Sequence, residues 1–345
     1  MSTVPVFVSF QNRTFFSQIL PSLAVAIVAL APLQVARAIG PDNQTLNPTE
    51  DSVVRVLFNN PANQDAGDGY MNGTGSIIGN HNIDGVGWLC VLTADHVIST
   101  NGKKSGGIVN APGIAFGNAA KVSGNSPYFA GQVLGRFSTN GTSDIAVVGV
   151  PYGAYNPAYN NLVVNLVSAS GFFYFTDIGY GNEGKLVTGG YQAQNKYGTE
   201  RFLNDKIGTF EANYTRDGYT FEGAEWYVTD PTDPNHIPGS GTTFDADSGS
   251  PYFSSATNFD EGTGLSYTTD NQFAVHSGIR FAASTNNPAP TIAFGSTLIG
   301  DALTGNDIVW INNLCDAVPE PSAAVLTTVG VLVIFRWRRI RGRVS

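Results

Sequence analysis

From Ser52 to about Val150 the apolar positions fall in short runs, Val53 to Phe58, Gly75 to Gly79, Val86 to Thr93 and Ala146 to Val150, separated by glycine and asparagine turns. Runs of this length between turn formers predict strands. Their spacing suits an antiparallel barrel in which alternate residues face inward. Pro151 to Asn161, rich in Tyr, Asn and Pro, predicts a linker. A second set follows: Phe172 to Ile178, Asn204 to Phe210, Glu225 to Thr229, Pro251 to Phe253 and Phe273 to Ile279. Asp230 to Gly241 predicts a loop and Ser254 to Asn271 a polar hairpin. Near the end the period changes. Ile308, Ile311 and Leu314 recur on one side of a predicted helix from Asn306 to Leu314.

The chain has 345 residues, and its 42% apolar content suffices for a sizeable core. Only 13% of the residues are charged and 40 are glycine, which favours short strands and turns and agrees with an all-β class. Between Ile39 and Ala317 there are 11 Lys and Arg against 26 Asp and Glu. Such a balance argues against a nucleic-acid partner. Cys90 and Cys315 are the only cysteines. Cys90 lies in an apolar run, so a buried free thiol is the simplest reading, and a Cys90–Cys315 bridge is the alternative. His81 and His236 lack zinc spacing, and the acidic turn at Asp230 lacks the ligand spacing of an EF-hand. No metal or cofactor is expected.

The candidate chemistry centres on Asp245-Ala246-Asp247-Ser248-Gly249-Ser250-Pro251. A serine attacks an acyl carbon only when a base takes its proton and backbone amides hold the oxyanion. Val91-Leu92-Thr93-Ala94-Asp95-His96-Val97 places a histidine just past a strand, and Thr142-Ser143-Asp144-Ile145-Ala146 places an aspartate just before one. The order His96, Asp144, Ser248, with these flanking blocks, resembles the trypsin/chymotrypsin-like serine proteases. The resemblance covers about Ser52 to Leu314. It implies two antiparallel six-stranded β-barrels with a C-terminal helix, a His96–Asp144–Ser248 triad, an oxyanion hole from the amides of Ala246 and Ser248, and a protein or peptide substrate paired along the strand that carries His276, Ser277 and Gly278. Gly179-Tyr180-Gly181 looks like the corresponding segment of the second protease barrel. Thr243 and His276 match positions that bind an acidic P1 side chain in glutamyl endopeptidase-like members. Thr242 stands where trypsins carry a carboxylate, which disfavours cleavage after Lys or Arg.

The sequence departs from the family in three places. Ala246 replaces a glycine at an oxyanion donor, and Asp95 replaces the alanine before the histidine. Asp95 is read either as solvated or as raising the His96 pKa. Val97 stands where a cysteine often forms a bridge. The departure at Ala246 keeps open an alternative function, a catalytically lapsed scaffold acting as a surface or matrix binding protein.

Residues 1–38 have the layout of a secretory signal peptide, with Arg13, an apolar run from Ile19 to Leu33, and Ala36-Arg37-Ala38 for signal peptidase. Cleavage there would free Ile39, whose amine the resemblance pairs with Asp247. Residues 39–155 are expected to form the first barrel, and residues 156–315 the second barrel with the closing helix. Residues 316–345 form a tail: Pro319, Glu320 and Pro321, the apolar run Ala323 to Phe335, then five arginines. The tail resembles the PEP-CTERM sorting signal, which implies an exosortase-type partner, at least transient contact with the membrane through a hydrophobic helix, and delivery to the bacterial cell surface or matrix. A plain membrane anchor is the alternative.

Overall fold

A computed structural model of the chain describes residues 52–59, 70–109, 112–116, 129–137, 141–169, 174–182, 184–194, 201–234, 236–237, 240–244, 246–254, 271–282 and 291–317. The first sheet contains β1 (Val53–Asn59), β2 (Tyr70–Ile83), β3 (Val86–Thr93), β4 (Gly113–Phe116), β5 (Phe129–Ala130), β6 (Gln132–Arg136) and β7 (Ala146–Ala154), in the order β5-β4-β1-β2-β3-β7-β6. β5 and β6 are one strand broken at Gly131. Its first part pairs with β4 and its second with β7, so the sheet closes into a six-stranded antiparallel barrel. A side chain at the break has no room, because a Cβ on Gly131 would lie 2.6 Å from Val148 Cγ1. The short helix α1 (Asp95–Ile98) follows β3 directly.

After a 3₁₀ turn (Pro157–Leu162) the chain forms β8 (Asn165–Leu166), β9 (Tyr174–Gly179), β10 (Gly184–Val187), β11 (Gly190–Ala193), β12 (Arg201–Lys206), β13 (Thr209–Arg216), β14 (Tyr219–Tyr227), β15 (Pro251–Ser254), β16 (Asn271–Arg280), β17 (Thr291–Ala293) and β18 (Thr297–Ala302). The second sheet runs β12-β9-β15-β16-β18-β14-β13. β12 and β13 are again consecutive and pair with opposite ends of that order, which closes a second six-stranded barrel. β8 adds a short parallel pair to β16, and β10, β11 and β17 form a small separate sheet.

Two apolar clusters hold this arrangement. One joins Val54, Leu89, Val91 and Val148 of the first barrel to Ile178, Phe253 and Val275 of the second, so the seam between barrels is itself core. The other fills the second barrel with aromatic rings: Phe175 lies 4.7 Å from Tyr252 and 5.6 Å from Trp226, centroid to centroid. Contacts at that range add to the burial energy of the rings.

Helix α2 (Gly305–Asp316) begins at a capping box formed by Thr304 and Asp307. It buries Ile311 and packs Ile308 and Leu314 beside it, as the spacing predicts. The helix returns to the first barrel, where Leu314 and Trp310 fill the space a side chain on Gly135 would need. This return corrects the free-thiol reading: Cys90 and Cys315 form a disulfide, with Cα atoms 5.8 Å apart. A second correction concerns Pro151 to Asn161. β7 continues to Ala154, because Pro151 falls at a register shift opposite Gly87 and Trp88 where no ladder N–H is needed. The polar stretch Ser254 to Asn271 falls almost wholly, and the first 38 residues and the tail fall entirely, outside the described residues. Among the described residues no helix is long and apolar enough to cross a membrane.

The disulfide closes a loop of 225 residues. Cys315→Ala, or reduction of the wild type, is expected to lower stability by about 2–5 kcal/mol, read as a fall in Tm under reductant that the variant no longer shows.

Candidate active site

His96 lies two residues past the extended Ala94 that follows β3. Asp144 lies in the turn before β7 and is almost completely buried. Its Oδ2 accepts from His96 Nδ1 at 2.7 Å and its Oδ1 from the His96 amide at 2.9 Å. Ser277 Oγ donates to the same Oδ2 at 2.5 Å. An ionised carboxylate only accepts, so Nδ1 carries the ring proton and Nε2 is left as the acceptor. Behind this pair the Asp144 amide donates to Asp301 Oδ2 at 2.7 Å. Burial, and then the charge of Asp144, push the Asp301 carboxyl well above the usual range.

Ser248 occupies a tight turn between Phe244 and Pro251. Asp247 N donates to Phe244 O at 3.1 Å, Gly249 N to His276 O at 2.8 Å and Ser250 N to Asp247 O at 2.9 Å. The amides of Ala246 and Ser248 donate to no protein group among the described residues. These are the two donors named for the oxyanion hole. Ala246 has φ 75°, the left-handed conformation that favours glycine. The alanine therefore keeps the glycine-like backbone and bears its strain, of roughly 1–2 kcal/mol.

The turn rests on the first barrel. Thr74 N donates to Ser248 O at 2.8 Å, Thr74 Oγ1 donates to Ala246 O at 3.1 Å, and Thr93 Oγ1 donates to Thr74 O at 2.7 Å. A Cβ on Gly249 would lie 2.1 Å from Thr74 O and 3.0 Å from Ala94 N. The turn that carries Ser248 thus presses against Ala94, two residues before His96. The structure brings Ser248 and His96 to one edge of the seam. No hydrogen bond joins the Ser248 hydroxyl to His96 in the free protein; in unliganded sites such contacts are often long and tighten around substrate.

Asp247 is fully buried. Its oxygens accept from Gly181 N at 2.7 Å and Phe244 N at 2.9 Å. A Cβ on Gly179 or Gly181 would lie 2.4 or 2.3 Å from that carboxylate, which accounts for both glycines around Tyr180. The expected partner, Ile39, lies outside the described residues. Asp177 is buried beside Asp247, and burial followed by the Asp247 charge pushes its carboxyl well up.

Thr243 and His276 lie in contact: Thr243 Oγ1 is 3.0 Å from His276 Nε2. The other ring nitrogen, Nδ1, lies 2.6 Å from Tyr252 Oη, to which Trp226 Nε1 donates at 3.1 Å. Indole N–H only donates, so the Tyr252 proton goes to Nδ1, and the neutral imidazole presents an N–H from Nε2 toward Thr243. Burial, then the charges of Arg216 and His96, push the His276 pKa down to about 3, so the ring is neutral in ordinary buffers. Ser240 and Asp205 anchor the loop that carries Thr243, through a short hydrogen bond. Among the described residues no three His, Cys, Asp or Glu side chains stand together as a metal site.

The site depends on residues that sequence reasoning missed. Thr74 was signalled only by its flanking glycines, Gly73 and Gly75. Trp226 and Asp301 lie in strands with no motif around them, and Tyr252 directly follows the serine motif without a signal of its own. Asp95 is neither solvated nor turned toward His96. It is fully buried and bidentate to Arg136, at 2.5 and 2.8 Å, and accepts from Tyr219 Oη at 2.7 Å.

Two closed six-stranded antiparallel barrels, with the candidate triad along their seam and a closing helix, define a chymotrypsin-like double-barrel protein. Glu endopeptidase, solved in complex with MPD, is similar in structure at 12% identity and TM-score 0.46, covering 81% of this chain and 98% of that one. A mutant of human heparin binding protein is similar at 12% identity and TM-score 0.43, covering 78% and 94%. No family model and no curated protein matches the sequence.

Ala246→Gly is expected to relieve the backbone strain and raise Tm by about 2–4 °C per kcal/mol recovered, measured by thermal unfolding. Burial pushes the Asp205 carboxyl up to about 7, against the opposing bonds from Ser240 and the Lys206 amide. The folded chain then holds this proton more tightly than the unfolded chain. Stability from this group is intact below about pH 4 and is lost as pH rises toward 7. Asp205→Asn should remove that loss, so the Tm of the variant minus that of the wild type should grow from pH 4.5 to pH 7.5.

Proposed function

We propose that the protein is a serine endopeptidase. The observation that carries this is the Asp144–His96 pair, fixed in one tautomer, at the same edge as a serine whose turn leaves two amides without a protein acceptor among the described residues. In the proposed reaction Ser248 Oγ bonds to the substrate carbonyl carbon as its proton passes to His96 Nε2. The carbonyl oxygen, now an oxyanion, is held by the amides of Ala246 and Ser248. His96 returns the proton to the leaving amine as the peptide C–N bond breaks. A water, deprotonated by the same ring, then releases the acyl group. Asp144 is not protonated in these steps and steadies the imidazolium.

A preference for an acidic P1 residue belongs to the same proposal. The Trp226–Tyr252–His276 chain supports it, because it directs the His276 N–H to the Thr243 oxygen and so leaves the Thr243 hydroxyl proton as a donor suited to a carboxylate oxygen. We also propose export and surface sorting, on the leader-like and Pro-Glu-Pro segments, with a disulfide that suits an oxidising compartment. The binding-protein alternative rests on the strained Ala246. The conformation observed there still leaves its amide without a protein acceptor among the described residues, which favours the enzyme.

A fluorophosphonate probe should label the folded wild type and fail to label Ser248→Ala. A folded wild type that never labels overturns the hydrolase reading and favours the binding scaffold. On a peptide library, cleavage is expected after Glu or Asp; cleavage with no such preference discards the acidic pocket alone.

A further inference from the structure

Against the strand proposed to line the substrate lies a cation that the triad does not use. β13 and β14 are joined by Asp217-Gly218, with φ 50° and 91°, the two-residue turn that holds a hairpin rigid. The hairpin is fastened beside the triad: Tyr219 Oη bonds Asp95, and Thr220 N donates to Thr142 O at 2.8 Å. Its last residue before the turn is Arg216. Arg216 Nη1 donates to Ser277 O at 2.5 Å, and Nε reaches Asp217 Oδ2 at 3.2 Å. A Cβ on Gly278 would lie 1.1 Å from Arg216 Nη1, so the guanidinium takes the place of the missing side chain at that position. Nη2 has no partner among the described residues, and the side chain is 36% exposed.

The surroundings are positive within an acidic protein. Lys103 Nζ lies 3.9 Å from Asp217, and Lys104 Nζ and the Arg136 guanidinium lie over the Phe137 ring at 5.5 and 4.8 Å. Asp95 neutralises Arg136, and Asp217 is shared by Arg216 and Lys103. The net field at this rim favours an anion. Resting on the protease reading, we infer that Arg216 is a specificity residue that binds a substrate carboxylate one or two residues before P1. A peptide paired along His276 to Ile279 places P1 by Ser277, next to the triad, and the preceding residues by Gly278. The Ser277 carbonyl has a second lone pair for the peptide N–H, so Arg216 need not leave. Its free Nη2 then supplies a charge-assisted bond to an Asp or Glu side chain.

The test uses matched peptides with one P1 residue and either Asp or Asn at each of the two preceding positions. For the wild type, kcat/KM should favour the Asp peptide by about tenfold at low salt, and the ratio should shrink as ionic strength rises. Arg216→Ala should bring the ratio near one, and Arg216→Glu should invert it. Loss of Asp and Asn peptides in equal proportion would show that Arg216 only braces the strand, and overturns the inference. The same ratios are read as Kd by fluorescence anisotropy on Ser248→Ala protein and on Ser248→Ala with Arg216→Ala. A folded wild type that neither labels nor cleaves defeats the protease reading, whereas equal Kd for Asp and Asn peptides in Ser248→Ala protein defeats the Arg216 inference.

Discussion

The carboxylate of Asp144 is the point at which the two barrels are held in register at the site. It receives two bonds from His96, which belongs to the first barrel, and one from Ser277, which belongs to the second. Its own amide is bound by Asp301 of β18. A buried carboxylate is costly unless its lone pairs are filled. Here filling them requires both barrels to be in place. The orientation of the imidazole is therefore a consequence of barrel docking and not of the local helix, since α1 has only four residues. The bulge between His276 and Gly278 interrupts the β16–β18 register at Ser277, the residue that bonds Asp144.

The seating of Ser248 follows the same logic from the other side. Ser248 is held by its carbonyl and not by its hydroxyl, through Thr74 N, while the Thr74 hydroxyl takes the carbonyl of Ala246 and accepts from Tyr180 N. With both carbonyls directed into the first barrel, the peptide planes that carry the Asp247 and Gly249 amides are set, while Asp247 O, which accepts from Ser250 N, fixes the plane of the Ser248 amide. The left-handed conformation of Ala246 is what this arrangement demands of the chain, and a methyl group there raises its energy without changing its direction. Gly249 has no such latitude, because its missing side chain is the space into which Thr74 O and Thr93 Oγ1 fit.

Local features were legible in the sequence and long-range ones were not. β3 is bounded by the Asp84-Gly85 turn and by Ala94, and its span was read from apolar residues alone. The three blocks around His96, Asp144 and Ser248 were legible because each must be short and turn-flanked to present one side chain. Thr74 bonds a residue 172 positions away, Asp144 one 157 away, and Cys90 one 225 away. No periodicity or composition signals such pairs, since a Thr in a strand or a Cys in an apolar run satisfies local rules in either state. Asp95 was misread for the same reason. Its neighbours gave no sign of Arg136, which reaches it from β6, or of Tyr219, which reaches it from the second barrel.

The seam also shows how a protein with so few cations manages buried acids. Asp95 is met by a guanidinium, whereas Asp144 and Asp247 are met by backbone and side-chain N–H and O–H groups. Burial pushes Asp177 and Asp301 upward, toward the neutral form, while their neighbours Asp247 and Asp144 receive the donors. In each pair, burial and the neighbouring carboxyl both oppose the charged form of the member with fewer donors. The cations of this region are placed differently from one another: Arg55 is buried on β1 opposite Thr74, Arg136 is committed to Asp95, and Arg216 is partly exposed beside Ser277.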